Sequence, residues 1–311
     1  MPDVSVRPGT PLRIAAWASF VAQVTIIATG GAVRLTGSGL GCPSWPTCTP
    51  ESLIPTEELT YHSLIEFGNR MMTGVVGIIA LVVVILMLTT RLWRTRKDLW
   101  TLAVIVGVGI IAQAIVGGIT VWTGLNPFIV GFHYVSSLLL VCVTAAFLAR
   151  MDDVPGPRTL AVPAWYARLT HLTAAVMAVS IAFGILTTGA GPHSGDAASG
   201  RNGFDATVLE HVHAWPGYAL LVLTVLLVVA AAVKGLPTRN WAITLLAVEF
   251  VQIAVGLYQA RNGLPVLAVG VHMVLAALTA AAMTLVILRL KRPAAAPLAT
   301  AESDEATVAA H

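Results

Sequence analysis

The chain has 311 residues, 57% of them hydrophobic and only 11% charged, with a formal net charge of +3 and a mean hydropathy of +0.83. So little charge over this length excludes a soluble globular protein and leaves lipid as the main solvent. No nucleic-acid partner is expected.

Apolar runs of spanning length recur at about 13–31, 66–90, 99–122, 128–149, 165–188, 208–233, 239–259 and 265–289. A helix needs about 20 residues to cross roughly 30 Å of hydrocarbon, so the expected fold is an all-α integral membrane protein with eight spans. The first run has the length of a signal peptide. It ends in "GGAVRLTGSG" without a plain small-x-small cleavage signal, and more spans follow, so it is read as retained.

Orientation follows from the basic residues. Arg7 and Arg13 precede the first span, and Arg91, Arg94, Arg96 and Lys97 follow the second. Arg150, Arg158 and Arg168 lie between the fourth and fifth, Lys234 and Arg239 between the sixth and seventh, and Arg289, Lys291 and Arg292 after the eighth. These fall on one side, against Arg34, Arg70, Arg201 and Arg261 on the other. The positive-inside bias predicts a multi-pass cell-membrane protein with both termini cytoplasmic. Residues 293–311, a short polar stretch, are expected to be a disordered tail. Cys42 and Cys48 lie in the long outer loop, where disulfides persist, and Cys142 sits alone in the fourth span as a small apolar residue.

The two halves repeat. Gln113 and His133 are twenty residues apart, as are Gln252 and His272; "TGSG" at 36–39 matches "TGAG" at 188–191. "IEFGN" in the second span matches "LEHVH" in the sixth, pairing Glu66 with Glu210 and Asn69 with His213. Four spans have been duplicated in tandem, both copies starting on the same side, which predicts two four-helix bundles with pseudo-two-fold symmetry about the membrane normal. The expected division is 1–155, 156–292 and the tail 293–311.

Topology places His133, His213 and His272 a turn or two inside the outer ends of their spans, with Glu66 and Glu210 at the mouths. Ionisable groups within a span cost about 2.5–3.5 kcal/mol at the centre and less near the rim, so they usually face a bundle interior. A single rim histidine is commonly an interfacial residue. His171 has no repeat partner, His62 and His193 lie in outer segments where solvation costs nothing, and His62 lies one turn from Glu66. His211 rivals His213, but the repeat selects His213. Two neutral imidazoles facing each other within a four-helix bundle suit axial ligation of a haem iron; zinc wants further ligands that the set does not offer. Glu66 has a plain reading too, as an anion favoured by the helix macrodipole.

At "GGAVRLTGSGLGCPSWPTC", "EFGNRMMTG", "FHYVSSLLLV" and "LEHVHAWPGY" the chain resembles the haem A synthase family, over about residues 13–290. The resemblance implies an oxidoreductase that oxidises a methyl group of haem O to the formyl group of haem A for cytochrome oxidase assembly, with new oxygen taken from water. It also implies haem b as cofactor in the C-terminal half, held by His213 and His272. The haem O substrate would lie in the N-terminal half, with His133 as its iron ligand and Glu66 as the catalytic carboxylate. Haem O synthase and an electron acceptor are the implied partners, and a second copy of the chain is allowed. Cys42 and Cys48 match the family's outer cysteine pair, which is either redox-active or a structural staple. Where the family pattern runs Glu-x-x-His-Arg, this chain has Glu66, Asn69 and Arg70. An amide is a poor iron ligand, so the expectation is a five-coordinate substrate iron with Asn69 as a hydrogen-bonding group. Arg34 and Arg70 are candidates for the substrate propionates, and Arg201 or Arg261 for those in the second half.

The alternative is a membrane b-type cytochrome that only transfers electrons, which would have no use for Glu66 and the cysteine loop. A transporter would suit the tandem repeat, but no charged residue is expected near the midplane.

Overall fold

The computed structural model describes residues 7–56 and 60–294. Its helices are α1 (Thr10–Leu35), α2 (Tyr61–Thr89), α3 (Leu92–Thr95), α4 (Lys97–Trp122), α5 (Pro127–Met151), α6 (Ala164–Ala190), α7 (Ala206–Lys234), α8 (Arg239–Arg261) and α9 (Val266–Leu288). All but α3 are long and apolar enough to cross a membrane, giving the eight expected spans and an all-α membrane fold. Large apolar side chains stay on the outside of the bundle, among them Val233 at 80% and Leu267 at 79% exposure. Water would penalise such a surface heavily, whereas lipid tails match it.

Local chemistry sets the helix ends. Asn126 caps α5 by accepting from Phe128 N–H at 3.0 Å, with Pro127 at the first helical position, where its missing N–H costs nothing. Asp205 caps α7 through the N–H groups of Thr207 and Val208. The α4–α5 and α8–α9 turns repeat in backbone detail. Leu125 N–H donates to Thr120 O at 2.8 Å and Leu264 N–H to Gln259 O at 2.9 Å, and both leucines hold φ of 59°. A left-handed leucine costs roughly 1–2 kcal/mol, so two at matched positions mark one turn copied with its strain.

In the first four spans α1 packs on α2, α2 on α4 and α4 on α5; in the last four the same order holds for α6, α7, α8 and α9. The two sets meet where α5 crosses α9, flanked by α1 against α9 and α5 against α6. A rotation exchanging α1 with α6 and α5 with α9 maps these contacts onto themselves. Ala277, Ala280, Ala281 and Ala282 of α9 are buried there, and small residues allow the close backbone approach on which helix association in lipid depends. Tyr134 OH donates to Met273 O at 2.8 Å across the same seam.

The basic segments gather at one end. Arg13 pairs with Asp152 at 2.6 Å, and the buried Arg96 reaches Asp98 and Arg150 O. Strand β1 (Arg158–Leu160) pairs antiparallel with β2 (Lys291–Pro293). The expected tail therefore begins too early, because Pro293 is opposite Arg158 and Ala294 N–H donates to Pro157 O. The remainder of that tail, 295–311, lies outside the described residues.

Candidate functional site

At the opposite end the three histidines form a layer. His133 and His272 are each the seventh residue of their helix and His213 is the eighth. At 1.5 Å per residue all three lie about 9–10 Å inside the helix starts.

In the second half α7 and α9 bring His213 and His272 face to edge, with ring centroids 6.2 Å apart and planes at 84°. His213 Nδ1 lies 2.9 Å from Ser180 O. A carbonyl can only accept, so Nδ1 carries the proton and Nε2 keeps its lone pair, the arrangement usual for a ligating histidine. His272 Nδ1 and Gln252 Oε1 are buried without partners, and Gln252 Nε2 is 3.3 Å from His272 Nε2. Glycines make room for both rings. A Cβ added at Gly184 would stand 2.9 Å from His213 Cε1, and one at Gly256 would stand 3.0 Å from His272 Cε1. Metal–imidazole bonds of about 2 Å place two rings sharing one metal roughly 6 Å apart, centre to centre, so this donor pair fits an axially ligated haem iron. Among the described residues no group of three or more His, Cys, Asp or Glu is placed to hold a metal ion.

The first half diverges at matched positions. His133 lies against Gly117, with its Cε1 3.5 Å from where a Cβ would stand, and its Nδ1 is buried without a partner. Gln113 Nε2 does not reach that ring; it donates to His133 O at 2.8 Å and to Ser137 Oγ. The repeat puts Ala276 where Ser137 stands. With no hydroxyl to draw it off, Gln252 turns to the ring. Asn69 Oδ1 accepts from Thr29 Oγ1 at 2.8 Å on α1, leaving the amide NH2 as its donor.

Helix α2 starts at Tyr61, so Glu66 is not at its mouth but in its second turn, where it is only 5% exposed. Its repeat partner Glu210 is exposed. Glu66 Oε2 accepts from Cys42 N–H at 2.7 Å, and Oε1 accepts from Arg70 Nη2 at 2.5 Å. The same guanidinium donates to the carbonyls of Cys42, Ser44 and Thr47 at 2.8–3.1 Å. Cys42 and Cys48 are joined in a disulfide, and both are fully buried. Trp45 lies against Gly118 and edge-on to Trp122, while Gly41 sits so close to the His62 backbone that a Cβ there would be 2.6 Å away. The cysteine loop is thus a tight cap on α2 and α4.

Three expectations change on this geometry. Arg70 spends its donors on the cap, and Arg34 donates to His193 O at 2.7 Å and Thr188 O at 2.9 Å. Arg70 is thereby committed to the cap, whereas Arg34 makes no hydrogen bond through Nη1 among the described residues and stays a propionate candidate. Arg201 likewise donates to Ser199 O and Pro192 O; Arg261 is exposed. His193 is no solvated loop residue, because its Nε2 bonds Leu264 O at 2.9 Å and it helps tie the second half's outer loop to both halves. His62 bonds Ser38 Oγ at 2.9 Å rather than Glu66. His171 and His211 are exposed, as their plain readings require.

One residue escaped the sequence reading. Glu249 lies mid-way along α8 and is 2% exposed, with Oε1 accepting from Thr224 Oγ1 at 2.9 Å and Oε2 buried without a partner. It overturns the expectation that no charged residue lies near the midplane. The signal was a lone carboxylate inside "LLAVEFVQIAV", and such a residue in a span is a functional candidate by default.

Known proteins share parts of this sequence. A haem A synthase of Lysinibacillus sphaericus is 39% identical over 132 residues, 41% of each chain. Those of Listeria welshimeri and Bacillus cereus are 34% identical over 127 residues and 33% over 131. The matched stretches span only 40–41% of these relatives. The model of the family described as cytochrome oxidase assembly protein, COX15-CtaA, matches residues 13–193. That match runs from α1, through the cysteine cap and His133, to the end of α6, and by it the chain belongs to the COX15-CtaA family of cytochrome oxidase assembly proteins.

Proposed function

We propose that the chain is a haem A synthase, oxidising a methyl group of haem O to a formyl group. The observation that carries this reading is the pair of unlike sites near one end of the bundle: two imidazoles 6.2 Å apart in the second half, and in the first a lone imidazole on α5 and a capped carboxylate on α2, each within two turns of its helix start. A cytochrome that only passes electrons has use for the former but none for the latter. The relatives named haem A synthase support the same choice.

In this reading His213 and His272 hold haem b, which when bound supplies a one-electron carrier for electrons leaving the substrate. Ser180 O fixes the His213 tautomer, and Gly184 and Gly256 leave the space that the two rings occupy. His133 ligates the haem O substrate iron. Where a second histidine would add a strong ligand, Asn69 would offer the substrate only a hydrogen bond from its amide NH2. Oxidation of a methyl group to an aldehyde takes oxygen from water and releases electrons and protons at each stage. Glu66 is oriented by Arg70 and Cys42 N–H to receive protons or to stabilise positive charge developing on the substrate. The cysteine cap excludes water from the outside, and its buried sulfurs favour the structural staple over a freely accessible redox pair. The basic end faces the cytoplasm, as the positive-inside bias requires.

Co-expression with a haem O-producing enzyme, followed by chromatography of extracted haems, tests the reading. Haem A is expected with the wild-type chain and not with His133→Ala.

A further inference from the structure

We infer that the basic end of the first half carries a binding site for the phosphodiester headgroup of an anionic phospholipid. A cavity of about 300 Å³ opens there between α3, the start of α4, the end of α5 and the 154–158 loop, lined by Arg94, Lys97, Asp98, Arg150 and Arg158. Its charge is unbalanced. Asp98 is chelated by Arg96 through both oxygens, at 3.0 and 2.9 Å. Asp153, beside the cavity, is shared by Arg158 at 2.7 Å, Arg289 at 3.4 Å and Arg150 at 3.8 Å. Among the described residues neither Arg94 nor Lys97 has a carboxylate partner. Four cations thus line the cavity with a single carboxylate that Arg96 already neutralises, and an anion entering it would relieve their mutual repulsion.

The depth of the cavity chooses the anion's source. Trp93, next in sequence to the lining residue Arg94, packs with Trp100, and the Arg94 guanidinium lies 4.9 Å above the Trp93 ring. Tryptophan and arginine in that pairing mark the headgroup level of a bilayer. Basic pockets between spans on the side rich in Lys and Arg suit acidic headgroups, and each cation near the surface contributes about 1 kcal/mol. This site is separate from the histidine layer and does not depend on the haem A synthase reading.

The test uses the full chain purified in detergent, with lipid retention counted by native mass spectrometry and affinity measured with added dioleoyl phosphatidylglycerol. Removing two charges by Arg94→Gln with Lys97→Gln is expected to weaken phosphatidylglycerol binding about thirtyfold. The charge-conserving pair Arg94→Lys with Lys97→Arg should bind as wild type, which excludes misfolding as the cause. Phosphatidylcholine, zwitterionic at the same phosphate, should neither be retained nor raise Tm. Equal phosphatidylglycerol binding by the neutral variant would overturn the inference. So would equal protection by glycerol 3-phosphate, because the site would then take an aqueous phosphate.

Discussion

Arg70 lies one helical turn beyond Glu66, and its guanidinium joins that carboxylate, at 2.5 Å, to three carbonyls of the loop that holds the Cys42–Cys48 disulfide. An ion pair that looks in sequence like substrate-binding equipment is also the fastening of an outer cap. Charged hydrogen bonds of this kind contribute about 1.5–3 kcal/mol each. Arg70→Ala should therefore expose the buried sulfurs, and the disulfide should be reduced by dithiothreitol at least tenfold faster than in wild type, as read by maleimide trapping. An unchanged reduction rate would mean that the cap stands without Arg70.

The glycines beside the histidines give a graded prediction. Alanine at Gly184 or Gly256 places a methyl at 2.9 or 3.0 Å from an imidazole carbon, whereas at Gly117 the distance is 3.5 Å, an ordinary contact. Gly184→Ala and Gly256→Ala should displace a haem b ligand and shift or deplete the reduced α-band of the purified protein. Gly117→Ala should leave that band untouched. Equal effects at all three positions would refute the assignment of these rings to haem b.

Asn69 and His213 occupy matched positions, each bonded to the neighbouring helix that precedes its own. Asn69→His is expected to give the first half a second strong ligand and close the open iron position. The purified variant should then show more low-spin haem by electron paramagnetic resonance than wild type. An unchanged low-spin signal in this variant would contradict the open-position account.

Glu249 presents an unpartnered oxygen to the interior of the second half. Glu249→Gln keeps an acceptor for Thr224 and removes the means to carry charge there, so Tm should hold or rise, by up to about 2 kcal/mol in stability. A drop of several degrees would show that Oε2 has a bonding partner.

Much of this was legible in the sequence. Eight spans follow from hydropathy, because lipid requires about 20 apolar residues per crossing whatever their order. The repeat follows from Gln113–His133 and Gln252–His272, whose spacing survived duplication although Ser137 and Ala276 now send the two glutamines to different partners. What the sequence hid depends on long-range chain paths. Nothing local says that the loop after α1 folds down onto Arg70, or that Arg34 reaches His193 across 159 positions. The pairing of residues 158–160 with 291–293 has no periodic signal either, since each strand is three residues long. Glu249 is a different case, because its carboxylate stood in plain view within an apolar run.

The most direct test of the central claim is the haem content of cells that co-express this chain with a haem O-producing enzyme. Wild-type chain should yield haem A; His213→Ala and His272→Ala should each lose the haem b spectrum along with haem A. His133→Ala should retain the haem b spectrum and accumulate haem O. If wild type leaves haem O unconverted, or if haem A persists after both second-half histidines are gone, the two-site account is contradicted.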